Sequence, residues 1–408
     1  MMKDIKTRIS KLNIDFEAYW EPIYLILLAF FVGMRFLLST MFTIYWPKYF
    51  YRTLTVIGVV LVLLHLMMAK DISKKEIAAM LVVTFVFMMS HYVSGYDFLV
   101  DLLILILGAY RVNFRNILKT YIAVWSVLLV VTIIGAMTGL AENLVYYQGE
   151  GGERVRMALG ICYPTDLAAY VVFLMFAYVC VRDEYITYLE IGVMAVLAGA
   201  VYYITDARTD FIIMVLLVIL VFVHKKFANL FFEIIEKRIT KIVLMLFPII
   251  ICIVAWTLTM LYQWDRSFMV NLDGKLSGRL AIGKQAIDNC GISLFGKYIF
   301  EKGAGGSVEN DEMYFFIDSS YISMGIKYGI VLLIFIVSAM ILQIYIKYKE
   351  KKYIQIIIII VLLTQSLMEH HLIQYWYNPW VICYLTSFLG TLNDYEIKKK
   401  KNQVLDLN

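Results

Sequence analysis

Charged side chains are scarce in this sequence. Asp, Glu, Lys and Arg together make up 17% of the 408 residues, whereas a soluble globular domain averages about 25%. Hydrophobic residues make up 62%, and the mean hydropathy is +0.76. This composition argues against an ordinary soluble domain and predicts a protein that uses the lipid bilayer as its solvent. The aromatic content of 15% is typical of a chain with two membrane–water interfaces.

Cysteine is sparse as well. The five cysteines are odd in number and none forms a CxxC pair, so the sequence shows no zinc-binding or redox motif, and we expect no metal and no other cofactor. The net charge of +5 is small and lies mostly in loops between apolar runs, so it gives no indication of nucleic-acid binding. No small-residue cleavage site closes the first apolar run, and we expect that run to be an uncleaved anchor.

Long apolar runs are what the sequence has in place of charge. A helix needs about 20 mostly apolar residues to cross a bilayer, and twelve runs reach or approach that length. We therefore expect an all-α integral membrane protein, a single polytopic domain over 1–408 with about 12 transmembrane helices. The runs are 22–46, 52–69, 76–93, 96–110, 120–140, 164–181, 186–205, 210–224, 242–262, 319–346, 353–369 and 376–392.

Basic residues set the orientation of these spans, because cytoplasmic loops carry an excess of Lys and Arg. With twelve spans and both termini in the cytoplasm, every basic cluster falls on the same side of the membrane. We therefore expect a multi-pass protein of the cytoplasmic membrane with both termini cytoplasmic. The clusters lie within 3–11, 70–75, 111–119, 225–241, 347–352 and 398–401.

Two longer loops lie on the outer side of this topology. We call 141–163 the first outer loop and 263–318 the second outer loop. Loops of this length in a compact protein are usually functional. The middle of the second outer loop, 277–290, has apolar residues at helical spacing and predicts a short amphipathic helix. We expect Ser277 to cap this helix and Arg279 to lie in its first turn.

The segment TDARTD, residues 205–210, places an arginine between two apolar runs. The run after it, 211–223, has 13 residues, and a helix of that length is only about 20 Å long, shorter than a hydrocarbon core of about 30 Å. We therefore expect this turn to lie below the outer membrane surface, in a cavity between helices. An arginine there must be paired or face water. Either Asp206 and Asp210 hold Arg208 in a structural ion pair, or Arg208 binds an anion that enters from the outer leaflet.

Further arginines on the outer side point to a phosphate-bearing ligand. A guanidinium group suits phosphate because it donates two parallel hydrogen bonds to two oxygens. Arg279 in the second outer loop, and either Arg154 or Arg156 in the first, would add donors to those of Arg208. Such a set favours a diphosphate ligand over a carboxylate.

Acidic and imidazole side chains on the same side are candidates for proton transfer and sugar binding. Asp318 stands where the chain re-enters the membrane, and it is either a general base or a helix N-cap together with Ser319 and Ser320. Glu369, His370 and His371 form an outward cluster after the eleventh run, and we expect this cluster to give a sugar groove a polar lining. Two consecutive histidines lack the i, i+4 spacing of metal ligands on a helix, so we expect them to line a sugar groove rather than to hold a metal.

Several segments of this sequence together resemble a known family. They are TDARTDF (205–211), LSGRLAIGKQAI (276–287) with SLFGK (293–297), and IDSSYISMGIKYGI (317–330). In this order they resemble the Wzy-type oligosaccharide repeat-unit polymerases of O-antigen, capsule and exopolysaccharide assembly, which are related to the O-antigen ligases. The resemblance implies a GT-C-like glycosyltransferase architecture and makes Tyr321 a candidate for substrate binding. Asp318 stands where ligases usually carry histidine, which favours a polymerase.

The resemblance also implies a reaction and a set of partners. Such a polymerase transfers a glycan from undecaprenyl diphosphate to the hydroxyl of another lipid-linked repeat unit, at the outer face of the bacterial cytoplasmic membrane and without a metal. It implies that Arg208 and Arg279 bind the diphosphate, with Arg154 or Arg156 assisting, and that Asp318 is the base or positions the acceptor. A chain-length regulator and a flippase are the expected protein partners.

Two alternatives stay open at this point. An O-antigen-ligase-like enzyme would use the same donor, and a polysaccharide flippase or transporter would share the number of helices and the buried charges. Transporters often carry internal repeats and paired broken helices, whereas this sequence has no convincing repeat. The second outer loop also has no counterpart in the first half of the chain. Transport therefore ranks below glycosyl transfer.

Overall fold

Helices account for most of the described chain. The computed structural model describes residues 16–45, 47, 49–69, 72–148, 153–308 and 314–383. Both predicted cytoplasmic termini lie outside these residues. In chain order the helices are α1 (Phe16–Leu38), α2 (Phe50–Met68), α3 (Lys74–Ser94), α4 (Phe98–Gly108), α5 (Phe114–Thr138), α6 (Pro164–Arg182), α7 (Tyr188–Thr205), α8 (Arg208–Lys226), α9 (Ala228–Glu236), α10 (Arg238–Met260), α11 (Ser267–Lys275), α12 (Arg279–Cys290), α13 (Ser320–Ser323), α14 (Ile330–Lys349) and α15 (Tyr353–Gln365).

Eight of these helices are long and apolar enough to cross a membrane, namely α1, α2, α3, α5, α6, α7, α10 and α14. Helices α8 and α9 are joined by a bend of 101° and form either one broken span, which would be the ninth, or a re-entrant loop. Helices α4 and α15 are apolar but have only 11 and 13 residues. The prediction of a mostly helical, multi-pass membrane protein is confirmed, while the described residues contain eight or nine candidate spans rather than 12.

The difference in span number arises mainly at the end of the described chain. The run 353–369 is helical only as far as Gln365, and an irregular segment follows it. The run 376–392 is described only to residue 383, and the described part contains a 3-10 turn at Pro379–Val381. Hydropathy alone does not distinguish an apolar helix from an apolar segment that folds irregularly inside the protein.

The run 319–346 forms three pieces instead of one span. Helix α13 is followed by a π-helical turn over Met324–Tyr328, and α14 begins only after Gly329. Gly329 has φ of 96°, a left-handed value that interrupts the helix. Single π-helical turns often lie at functional sites, and this one carries Lys327, which forms an ion pair with Glu301 of the second outer loop.

The first outer loop forms a two-stranded antiparallel sheet, so the described chain is not purely α-helical. Strand β1 (Val145–Gln148) pairs with β2 (Arg154–Met157). Side chains two residues apart on a strand point to the same face, so Arg154 and Arg156 project to one side of the sheet. The Met41 amide donates to the Gly160 carbonyl at 2.8 Å and fixes the end of the loop to the segment after α1.

The short helix predicted in the second outer loop is present as α12, and Arg279 lies in its first turn as expected. The cap of this helix differs from the predicted one. Asp273 of α11 accepts hydrogen bonds from the backbone amides of Leu280 and Ala281 at 2.8 and 3.3 Å. The prediction that Ser277 caps α12 is thus wrong. The capping carboxylate comes from the preceding helix, outside the local pattern in which N-caps are sought.

Two glycines, one in the SLFGK segment and one in the KYGI segment, allow the backbones of these two segments to cross each other in direct contact. Gly296 and Gly329 have φ of 86° and 96°. A Cβ at Gly296 would lie under 3.0 Å from the Lys327 carbonyl oxygen, and a Cβ at Gly329 under 3.0 Å from that of Leu294. The Val331 amide also donates to the Leu294 carbonyl at 3.1 Å. This crossing fixes the second outer loop to the start of α14.

The substitution Gly329→Ala tests the importance of this crossing. A methyl group there must adopt a left-handed φ and displace backbone, so we expect the free energy of unfolding to fall by about 1–3 kcal/mol. The measurement is the Tm of the purified protein in detergent. Gly199→Ala on α7 is the control, because a Cβ at Gly199 meets no atom within 4 Å. Equal Tm values for Gly329→Ala and the wild type would contradict the crossing.

Candidate functional site

A cavity of about 1140 Å³ collects charges from segments that are far apart in the sequence. It lies between β2, the turn from α7 to α8, the start of α12 and, from the second outer loop, residues 302–307, Tyr314 and Asp318. Seven of the ten residues predicted to bind or act on a substrate line it. They are Arg154, Arg156, Asp206, Arg208, Asp210, Arg279 and Asp318.

The TDARTD segment forms a tight turn between α7 and α8. Asp206 adopts a left-handed conformation with φ of 45° and ends α7, and the Thr205 hydroxyl accepts a hydrogen bond from the Ala207 amide at 3.2 Å. Helix α8 begins at Arg208 and continues to Lys226, so it has 19 residues. The expectation of a 13-residue helix after the turn is therefore wrong, because the helix also includes polar residues at both ends of the apolar run. The surrounding β2 and α12 place the turn in a cavity instead.

Arg208 is the most exposed arginine of the cavity, with 64% of its side chain accessible. Its Nε lies 3.8 Å from Asp206 Oδ1, which is longer than a hydrogen bond. Asp206 forms its close ion pair with Arg154. Asp210 is buried and accepts a hydrogen bond from Gln365 Nε2 at 3.0 Å, with no ion pair to Arg208 within the described residues. The guanidinium of Arg208 is therefore available to a ligand.

Arg156 lines the cavity as a buried cation, with 6% of its surface exposed. Its Nε donates to the Thr205 carbonyl at 2.9 Å, and its guanidinium lies 5.5 Å from the centre of the Tyr163 ring. No carboxylate forms a salt bridge with it in the part of the chain that the structure describes. The two neighbouring arginines of β2 thus differ, because Arg154 is paired with Asp206 while Arg156 forms no salt bridge among the described residues.

Arg279 is held by two carboxylates at one wall of the cavity. Its Nη2 donates to Glu369 Oε1 at 3.0 Å, and its Nε lies 3.6 Å from Asp318 Oδ2. The Nε also donates to the Met368 carbonyl at 2.6 Å. Only 12% of the Arg279 side chain is exposed. Arg279 is therefore less free to bind an added anion than Arg208 or Arg156, and it orients the two acids.

Asp318 does not cap a helix. Ser319 occupies the N-cap position of α13, with no capping hydrogen bond from its side chain, and the Asp318 carboxylate faces Arg279. Burial raises the pKa of Asp318 to about 6, and the nearby guanidinium of Arg279 offsets part of the rise. A carboxylate with a pKa close to neutral that borders a cavity is suited to accept a proton.

The remaining three predicted residues do not line the cavity. Tyr321 is fully buried, and its hydroxyl donates to the Leu363 carbonyl at 2.9 Å. His371 is 1% exposed, and His370 packs beside it with ring centres 4.2 Å apart. Instead of lining a sugar groove, the two histidines lie next to Asp166. The i, i+4 criterion does not apply to them, because the chain after α15 is not helical.

Glu369 was expected to line a sugar groove with the two histidines, and it does line the cavity, but its pairing with Arg279 was not predicted. It is 3% exposed, lines the cavity and forms the closest ion pair of Arg279. The signal in the sequence was an acidic residue beside two histidines within an otherwise apolar stretch, but its partner lies 90 residues away. Lys302 also lines the cavity and adds a cationic side chain of the second outer loop.

Comparison with known proteins assigns no family to this chain. No family model, no curated protein and no solved structure matches it. The chemistry of the cavity is therefore the basis for a functional conclusion. Four arginines and a lysine provide donors for an anion with several oxygens, and Asp318 provides a proton acceptor at the same cavity.

The substitution Arg279→Met is expected to destabilise the protein strongly, because it leaves Glu369 and Asp318 without their cation. Loss of one partner of a buried ion pair costs about 3–5 kcal/mol. The measurement is Tm in detergent, with Arg266→Met as the control, since Arg266 is exposed and lies outside the cavity. Combining Arg279→Met with Glu369→Gln should recover part of the loss. A Tm of Arg279→Met equal to that of the wild type would argue against the network.

Proposed function

We propose that the protein is a polysaccharide repeat-unit polymerase. It transfers a glycan from undecaprenyl diphosphate to the hydroxyl of a second lipid-linked repeat unit, at the outer face of the bacterial cytoplasmic membrane. The observation that carries the proposal is the convergence of four arginines and Asp318 on one cavity. The volume of about 1140 Å³ exceeds the roughly 300–1,000 Å³ of common small-molecule pockets, which supports a ligand larger than a single sugar.

Arg208 and Arg156 bind the diphosphate of the donor in this proposal. Neither is held by a close carboxylate among the described residues. During transfer the bond between the anomeric carbon and the diphosphate oxygen breaks, and negative charge accumulates on the leaving diphosphate. Guanidinium groups placed beforehand stabilise that charge without reorganisation of solvent. Arg154 adds a third donor where the ligand displaces Asp206.

Asp318 serves the acceptor. The acceptor hydroxyl oxygen attacks the anomeric carbon, and its proton passes to the Asp318 carboxylate. The products are the lengthened lipid-linked glycan, free undecaprenyl diphosphate and a protonated Asp318, which then returns its proton to water. Arg279 and Glu369 position Asp318 through the ion-pair network described above.

Reconstitution with lipid-linked repeat units tests this function directly. The purified protein in liposomes is supplied with undecaprenyl-diphosphate-linked repeats and with lipid A core as a competing acceptor, and the products are separated by size. A ladder of lengthened, lipid-linked glycans is the expected result. Transfer of a glycan only to a lipid A core acceptor would replace the proposal with a ligase, and translocation of repeats without chain growth would replace it with a transporter.

The substitution Arg208→Ala is expected to reduce the rate of polymerisation by about 10²–10³-fold, the usual effect of removing one preorganised donor to a developing negative charge. Arg208→Lys keeps the charge but loses the paired donors, so an intermediate rate is expected. Arg266→Ala, at an exposed site outside the cavity, is the control and should retain the wild-type rate. A wild-type rate for Arg208→Ala would remove Arg208 from the mechanism.

The rate of polymerisation is expected to fall as the pH drops through about 6. Burial raises the pKa of Asp318 to about 6, so the carboxylate is the main form above that pH and the protonated acid, which cannot accept a proton, is the main form below it. Initial rates measured from about pH 5 to about pH 8 should show this acidic limb. Asp318→Asn should be nearly inactive at every pH. A wild-type rate that stays constant down to about pH 5 would exclude Asp318 as the base.

A further inference from the structure

Three side chains that commonly bind metals meet beside the cavity. Asp166 lies in the first turn of α6, and His370 and His371 lie on the irregular segment that follows α15. One ligand atom from each lies within 4.8 Å of the others. The transfer chemistry proposed above uses none of the three.

Two imidazole nitrogens in this cluster lack hydrogen-bond partners. His370 Nδ1 and His371 Nε2 are buried and form no hydrogen bond in the described part of the chain, although Glu369 Oε2 lies 3.9 Å from His371 Nε2. Buried polar atoms are almost always hydrogen-bonded, so two neighbouring exceptions require an explanation. His371 Nδ1 contacts Gln374 Oε1 at 3.1 Å. Because the amide oxygen accepts, the proton belongs on Nδ1, and the free lone pair of His371 is on Nε2.

Negative charge is concentrated around the cluster. Glu369, which directly precedes the two histidines, lines the adjoining cavity together with Asp210 and Asp318, and Arg279 forms ion pairs with Glu369 and Asp318. Buried charges are costly unless they are paired. A bound dication beside Asp166 would offset part of this excess of carboxylates.

We propose that Asp166, His370 and His371 bind a divalent transition-metal ion of the zinc class. Two imidazoles and one carboxylate form the ligand set of zinc sites with an open fourth position, whereas Ca²⁺ and Mg²⁺ prefer oxygen ligands alone. Gln374 contacts His371 through a hydrogen bond, and the Tyr377 ring packs against the His371 ring with ring centres 4.0 Å apart. Such outer contacts orient metal ligands. Bonds from zinc to its nitrogen and oxygen ligands are about 2.0–2.2 Å long. The three ligand atoms must therefore move closer to one another when the ion binds.

The ion joins the segment after α15 to the start of α6. Glu369, which holds Arg279, directly precedes the two histidines, and Thr165, which precedes Asp166, lines the cavity. The metal therefore fixes one wall of the cavity in place and takes no part in the transfer itself. Metal binding does not depend on the proposed function, because it involves only these three ligands.

Metal titration of the purified protein tests the site. The protein is isolated in detergent with an affinity tag that lacks histidine, treated with a chelator and titrated with Zn²⁺ and with Co²⁺, whose visible absorption reports the ligand field. About one ion per chain is expected for the wild type. Asp166→Asn, His370→Asn and His371→Asn should each lower the affinity by at least about tenfold. His224→Asn, which lies at the end of α8, is the matched control and should bind like the wild type.

A second readout separates loss of binding from loss of folding. Zn²⁺ should raise the Tm of the wild type and of His224→Asn, because a ligand that binds only the folded state stabilises it, and it should not raise the Tm of the three ligand variants. Gln374→Leu keeps all three ligands and should lower the affinity by about tenfold while the protein stays folded. Far less than one ion per wild-type chain, or unchanged affinity in the folded variants, overturns the proposal. Absence of polymerase activity leaves these readouts unaffected.

Discussion

The ion pairs of Arg279 with Glu369 and Asp318 are the interaction on which the site depends. They join the start of α12, the chain where it leads into α13 and the segment after α15. A buried guanidinium without its carboxylates would be costly, so these three parts of the chain must keep their relative positions. The same contacts present Asp318 at the cavity with a fixed orientation, which a free carboxylate on a long loop would not have.

The four arginines of the cavity divide into two kinds. Arg154 and Arg279 already have carboxylate partners, whereas Arg156 and Arg208 have none at hydrogen-bond distance among the described residues. A buried cation without a salt bridge, such as Arg156, is costly in an empty cavity, and binding of an anion relieves part of that cost. Since these donors are in place before the ligand arrives, binding requires little reorganisation of the protein. A protein that used all four arginines only for its own stability would pair each of them.

The sequence predicted features that depend on local composition better than features that depend on distant partners. Most of the long apolar runs became helices, and the apolar spacing of 277–290 became α12. The break at Gly329 was not predicted, because hydropathy does not report a left-handed backbone conformation. Most of the residues that line the cavity with charge were predicted, but their pairing was not. Asp206 binds Arg154, 52 residues away, more closely than it binds Arg208, two residues away, and only tertiary structure determines that choice.

The irregular segment after α15 explains how two consecutive histidines come to lie beside one carboxylate, that of Asp166. Non-helical backbone inside a membrane protein must have its polar groups satisfied by the protein. Here the Leu372 amide donates to the Ser320 hydroxyl at 3.1 Å, that hydroxyl donates to the Glu369 carbonyl, and Asn378 Nδ2 donates to the Leu372 carbonyl at 2.7 Å. On a continuous helix, consecutive side chains point about 100° apart. A regular helix would therefore have pointed His370 and His371 in different directions, whereas the irregular backbone places both imidazoles beside Asp166 and Glu369 at the cavity.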